Sequence, residues 1–170
     1  IISSHKGLAL PPGLSMVLLS PEAQSRINEN NTYYFGFARH LRDGERGQTP
    51  FTPAILIILQ LHQRLNQIIV KGIATEWERS ANLANYFRKG IANLPIKAYS
   101  THMPNAMTAL EVINGKSAMD LVQTLESDYR CIVAPNGGAL GDRVFRVSHM
   151  GATDYSDTDY LISALTYILG

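Results

Sequence analysis

Ser3-Ser4-His5-Lys6-Gly7-Leu8-Ala9-Leu10-Pro11-Pro12-Gly13-Leu14-Ser15 sets one lysine among small residues and closes on a Pro-Pro-Gly turn. Ser3, Ser4, Gly7 and Ala9 let a bulky group approach the backbone, and Pro11-Pro12-Gly13 fixes a sharp change of direction after the lysine. Ile1-Ile2-Ser3-Ser4 reads as the end of a strand, and Met16-Val17-Leu18-Leu19 as a short buried strand. Lys6 is thereby expected on a loop between two strands. Alone, a lysine before a Pro-Gly turn is also what an ordinary solvated surface residue looks like.

Two further stretches stand out. Gly47-Gln48-Thr49-Pro50-Phe51-Thr52-Pro53-Ala54 leads into an apolar helix, and its Thr-Pro pair suits plain N-capping as well as contact with an anion at a helix N-terminus. Pro135-Asn136-Gly137-Gly138-Ala139-Leu140-Gly141-Asp142-Arg143-Val144-Phe145-Arg146-Val147-Ser148-His149-Met150-Gly151 is a glycine-rich approach to a strand carrying Arg146. A planar guanidinium suits a carboxylate, in a substrate or in a buried ion pair. Arg143 reads as a solvated side chain.

Taken in order, the three stretches resemble the class V aminotransferases, most closely the alanine–glyoxylate or serine–pyruvate branch. The resemblance spans nearly the whole chain. It implies an α/β fold, the C-terminal part of a fold type I transferase that depends on pyridoxal 5'-phosphate. Residues 1–72 would be the end of the large cofactor-binding domain, and residues 73–170 a small C-terminal α/β domain. Lys6 matches the Schiff-base lysine, Thr52 the threonine that reaches a neighbouring subunit's cofactor phosphate, and Arg146 the arginine that binds the substrate α-carboxylate. A Schiff-base lysine needs a site that favours its neutral, nucleophilic form, and small neighbours give the cofactor ring access to it.

The activity implied is amino-group transfer between a small amino acid and a 2-oxo acid, by a homodimer whose subunits share active sites. Val147 stands where the family usually has isoleucine. Ser148 stands where it has glycine, adding a hydroxyl where the family keeps space. His149 matches the family's histidine and reads as a packing or hydrogen-bonding residue. The family's N-terminal half has no counterpart here, so the chain is expected to be part of a longer enzyme and to have very low activity alone. A non-catalytic α/β interaction module and a lyase or desulfurase on the same cofactor are the alternative readings.

The remaining sequence narrows the class. Of 170 residues, 45% are hydrophobic and 17% charged, the profile of a chain that folds around a core. A net charge of +1 from scattered basic residues gives no footprint for nucleic acid or an acidic membrane. The apolar run Ala54 to Val70 is broken by Gln60, His62, Gln63, Arg64, Asn66 and Gln67, too polar for a membrane span. Cys131 is the one cysteine, which excludes an internal disulfide and suits a reducing cytoplasm. The five histidines show no metal-ligand spacing, and no metal is expected. P-loop, Rossmann and nucleophile-elbow motifs are absent.

Periodicity predicts a short helix from Ser20-Pro21 to about Asn28 and an aromatic, extended stretch Tyr33–Phe37. A charged loop is predicted from Arg42 to Gly47, and a long helix from Thr52-Pro53 to a stop at Gly72. A helix opened by a Thr75/Glu78 capping box should run to about Lys89. Strands are predicted at Ile96–Ser100, Ala106–Ile113, Cys131–Ala134 and Val144–Ser148. Helices are predicted after Ser117 and near Ser156-Asp157.

Overall fold

A computed structural model describes residues 1–28 and 32–170, which form two compact units, Ile1–Leu65 and Asn66–Gly170. In the first unit, β1 (Ile2–Ser3) pairs antiparallel with β2 (Ser15–Met16), Ile2 opposite Met16 and Ser3 opposite Ser15. The lysine loop is the connection between them. The predicted buried strand Met16–Leu19 is corrected: the strand ends at Met16, and Val17 and Leu18 are exposed. A two-stranded ribbon this short has no second layer among the described residues to cover those side chains.

Helix α1 (Pro21–Ser25) starts where proline at the first helical position predicts, with the Ser20 hydroxyl accepting from the amide of Ala23. The aromatic run is not extended. Residues 33–35 turn, and Phe37 opens helix α2 (Phe37–Gly44), which also takes in Arg42 and Asp43 from the predicted loop. Ring packing explains the difference: Tyr34 stacks on Phe51 at 4.8 Å, and the Arg39 guanidinium lies 4.9 Å from the centre of the same ring. Asp43 then pairs with Arg46 one turn on.

Helix α3 (Ile55–Lys71) begins three residues later than Thr52, after Pro53, and stops at Gly72, whose φ of 84° a side chain would resist. Leu56, Leu59, Ile69 and Val70 on this helix are exposed. Among the described residues no helix is long and apolar enough to cross a membrane.

The second unit has two layers. Helix α4 (Ile73–Gly90) is preceded directly by Gly72, so the predicted capping box is corrected: Thr75 lies inside the helix and its hydroxyl donates to the carbonyl of Lys71. Strands β3 (Ile96–Ala98), β4 (Met107–Val112), β5 (Ala134–Pro135) and β6 (Val144–Ser148) form an antiparallel sheet in the order β3-β4-β6-β5. Helices α4 and α5 (Ala118–Tyr129) pack on this sheet, and α6 (Tyr155–Leu169) packs on both helices.

Capping at α5 follows the sequence, and α6 is capped by Asp154, just ahead of the predicted Ser156-Asp157 start. Ser117 accepts from the amides of Met119 and Asp120, and Asp154 forms a capping box with Asp157. The predicted strand Cys131–Ala134 shrinks to Ala134–Pro135. The chain leaves α5 through Arg130 in the left-handed conformation, and the amide of Cys131 is still bound to the Leu125 carbonyl, which keeps residues 131–133 out of the ladder. Cys131 itself is half-buried.

Phe87, Leu110, Leu125, Phe145 and Leu165 are essentially inaccessible and form the centre of the core. Each contributes about 1.5–3 kcal/mol by burial. Period-two alternation along β4 sends Thr108, Leu110 and Val112 inward and leaves Met107, Ala109 and Glu111 on the open face.

Candidate active site

Lys6 is an exposed residue on the loop that Ser4 closes. Ser4 is fully buried, its hydroxyl donates to the Pro11 carbonyl at 2.7 Å, and its amide donates to the Leu14 carbonyl at 3.0 Å. The amide of Leu10 donates to the Ser4 carbonyl at 3.1 Å, and that of Ala9 to the Lys6 carbonyl at 2.8 Å. Ala9 adopts φ 57°, a conformation that costs a non-glycine residue about 1–2 kcal/mol. The loop is thus held by bonds that outweigh local strain, as loops that present a reactive group often are. Beside Lys6, a Cβ added at Gly7 would meet nothing within 4 Å, so the backbone is open to approach.

Thr52 is exposed and its hydroxyl has no partner among the described residues; the hydroxyl of Thr49 instead donates to the Phe51 carbonyl at 2.6 Å. The side-chain cap that Thr52 suited in sequence is therefore not made, and the hydroxyl remains available to an outside acceptor. Thr52 stands next to Phe51, which the Tyr34 ring and Arg39 hold.

Arg146 projects from β6 in the second unit. Its strand neighbours in register are Ala109 on β4 and Ala134 on β5, so the residues beside it in the ladder are both small. Nη2 donates to the Pro135 carbonyl at 2.9 Å, while Nε is buried without a hydrogen-bond partner. An unpaired buried donor is costly and calls for an acceptor. Among the described residues the buried ion pair that the sequence left open is not formed: Arg143, not Arg146, pairs with Glu111, which Lys97 also approaches at 3.3 Å. These hydrogen bonds, Arg143 first and Lys97 second, hold the Glu111 carboxyl below its usual range.

Ser148 is exposed, and its hydroxyl accepts from the Met150 amide at 3.2 Å. The added side chain closes the turn after β6. His149 is buried, lies 5.4 Å from the Phe87 ring between centres, and has Nε2 2.8 Å from the hydroxyl oxygen of Thr108. Burial, and secondarily the charge of Arg88, push its imidazole down to about 4. A ring so placed packs and hydrogen-bonds, as its position in the sequence suggested.

Two arginines of α4 were not legible as site residues. Arg79 donates from Nη1 to the Thr153 carbonyl at 2.9 Å and from Nη2 to the Gly151 carbonyl at 2.7 Å, gripping the turn that follows the Arg146 strand. Arg88 reaches Thr108, Pro104 and Met107. In sequence both look like the solvated charges of an amphipathic helix, and only the fold shows what they face.

No family model matches the chain. Among curated relatives, it is 28% identical over 98% of its length to the soluble hydrogenase 42 kDa subunit of Anabaena cylindrica, covering 44% of that protein. It is 23% identical to the serine–glyoxylate aminotransferase of Hyphomicrobium methylovorum over 91% of this chain and 40% of that one. Among solved structures, the subgroup IV aspartate aminotransferase of Thermus thermophilus matches at a TM-score of 0.86 and 26% identity, over 98% of this chain and 48% of the other. The chain thus spans less than half the length of the proteins it matches.

Proposed function

We propose that this chain, which has the α/β fold of the C-terminal part of the fold type I pyridoxal phosphate-dependent aminotransferases, carries the lysine and the carboxylate-binding arginine of such an enzyme. The exposed Lys6 amine on a loop tied internally by Ser4 carries this reading. The residues fit the cofactor: the backbone at Gly7 is open, the Lys6 amine is accessible, and the Thr52 hydroxyl is uncommitted. Lys6 would hold the cofactor covalently, and Thr52 would donate to its phosphate across a dimer interface. When bound, pyridoxal phosphate supplies an electron sink for the carbon that loses a proton.

The chain's own residues then have distinct tasks. The Lys6 amine would hold and move the substrate's proton at its Nζ. The Arg146 guanidinium fixes the substrate carboxylate, and its unpaired Nε favours an acceptor there. Ala109 and Ala134, its small neighbours in register, add no polar group that competes for the guanidinium. Substrates would be a small amino acid and a 2-oxo acid, and the working form a homodimer.

The chain alone would bind cofactor weakly and turn over slowly, since under half of its relatives' length is represented. The test is reduction with borohydride after incubation with pyridoxal phosphate, followed by intact mass and peptide mapping. One adduct at Lys6, absent from Lys6→Ala, supports the assignment. Adducts spread evenly over the lysines would overturn it.

A further inference from the structure

On the helix-covered face of the second unit's sheet, opposite Arg146, three polar side chains satisfy one another. Nε of Arg88 donates to the Thr108 hydroxyl oxygen at 3.0 Å, and the same oxygen lies 2.8 Å from Nε2 of His149. A guanidinium can only donate, so the hydroxyl accepts from Arg88 and has its own proton to give to Nε2. Thr108 and His149 are 0% and 2% exposed, so neither can turn to water instead. The backbone supports the same alignment, with Thr108 opposite Val147 in the ladder and the His149 amide donating to Ala106 at 3.0 Å.

Apolar patterning alone does not fix how far β6 slides along β4. A slip of two residues would keep every side chain on its own face, setting Phe145 where Val147 now faces Thr108. That slip would carry Arg146 by about 7 Å. It would also draw His149 away from Thr108 and leave its buried Nε2 without that partner, a penalty that hydrophobic burial does not impose.

We propose that Arg88, Thr108 and His149 form a register lock and act as positioning residues for Arg146, holding it between Ala109 and Ala134. The functional part of this inference rests on the reading of Arg146 as the carboxylate-binding group. Buried polar groups specify one alignment among several apolar equivalents in just this way elsewhere.

The experiment compares the wild-type chain with Thr108→Val and Thr108→Ser by NMR. Cross-strand contacts report the β4–β6 register, and the Arg146 Nε–H signal is followed during titration with pyruvate. Wild type and Thr108→Ser are expected to show one register and an Arg146 response. Thr108→Val should show a second register or exchange broadening over residues 144–148, with pyruvate affinity about tenfold weaker. A Thr108→Val chain with one wild-type register and an unchanged pyruvate response overturns the lock. Should Thr108→Val not fold, His149→Leu against His149→Gln, whose side chain can still accept from Thr108, is read by the same criteria. A wild-type chain whose Arg146 ignores pyruvate overturns the carboxylate reading and the positioning role with it, while the cross-strand contacts still decide the lock.

Discussion

The hydroxyl of Ser4 donates to the carbonyl oxygen of Pro11 at 2.7 Å, fastening the far side of the Pro-Pro-Gly turn to the start of the lysine loop. Ser4 is the buried residue of the first unit among those described, so the loop depends on a polar anchor. Ser4→Ala removes that anchor and leaves the Pro11 carbonyl without it. Amide exchange at Leu10 and Leu14 is expected to rise about tenfold, equivalent to one net hydrogen bond. Hydrogen-exchange NMR checks this.

Gly13 sits at φ 135°, and a Cβ built there would lie 2.7 Å from Cδ1 of Ile57. Gly13→Ala should therefore loosen the turn, at a local cost of about 1–3 kcal/mol. Gly7→Ala, with open space around the added carbon, should leave exchange in the same loop unchanged. The contrast between the two variants separates turn strain from a general intolerance of larger residues.

His149 gives the second unit a defined acid sensitivity. Its folded-state value of about 4 lies below the ordinary 6.5, so between those values the unfolded chain holds a proton that the folded chain refuses. Stability from this group is complete above pH 6.5, falls as pH is lowered toward 4, and changes no further below that. The loss amounts to at most about 3 kcal/mol. Urea unfolding of the wild type at a series of pH values should show this slope, and His149→Gln should remove it.

Arg130 ends α5 with φ 54°. Glycine adopts this conformation without the side-chain penalty, so Arg130→Gly should stabilise the second unit by about 1 kcal/mol. A calorimetric midpoint raised by a few degrees is the expected result, and a lowered one would show that the Arg130 side chain contributes more than its backbone costs.

Helices α1, α3, α5 and α6 and the inner strands were readable because local signals agree with the fold there. Ser117 and Asp154 cap as their side chains dictate, and Leu121, Val122 and Leu125 fall on one buried face of α5. Reading failed where a distant partner decides. The turn at Tyr33–Phe35 depends on Phe51, many residues away, and the short β5 depends on a backbone bond from Cys131 back to Leu125. At the candidate site, Lys6, Thr52 and Arg146 are proposed from motif alone. Ser4 was noticed only for its small size, and Arg88 and Thr108 gave no signal, because a hydrogen bond formed across a helix and a strand leaves no periodicity in sequence.

The antiparallel sheet ends on one side at β5, two residues long and containing Pro135, which has no amide hydrogen to offer. It ends on the other at β3, three residues long and bearing Lys97. Both borders are blunted against an incoming strand. The exposed apolar side chains of α3, Leu56, Leu59, Ile69 and Val70, are then the surface left for another chain to cover, rather than a strand edge.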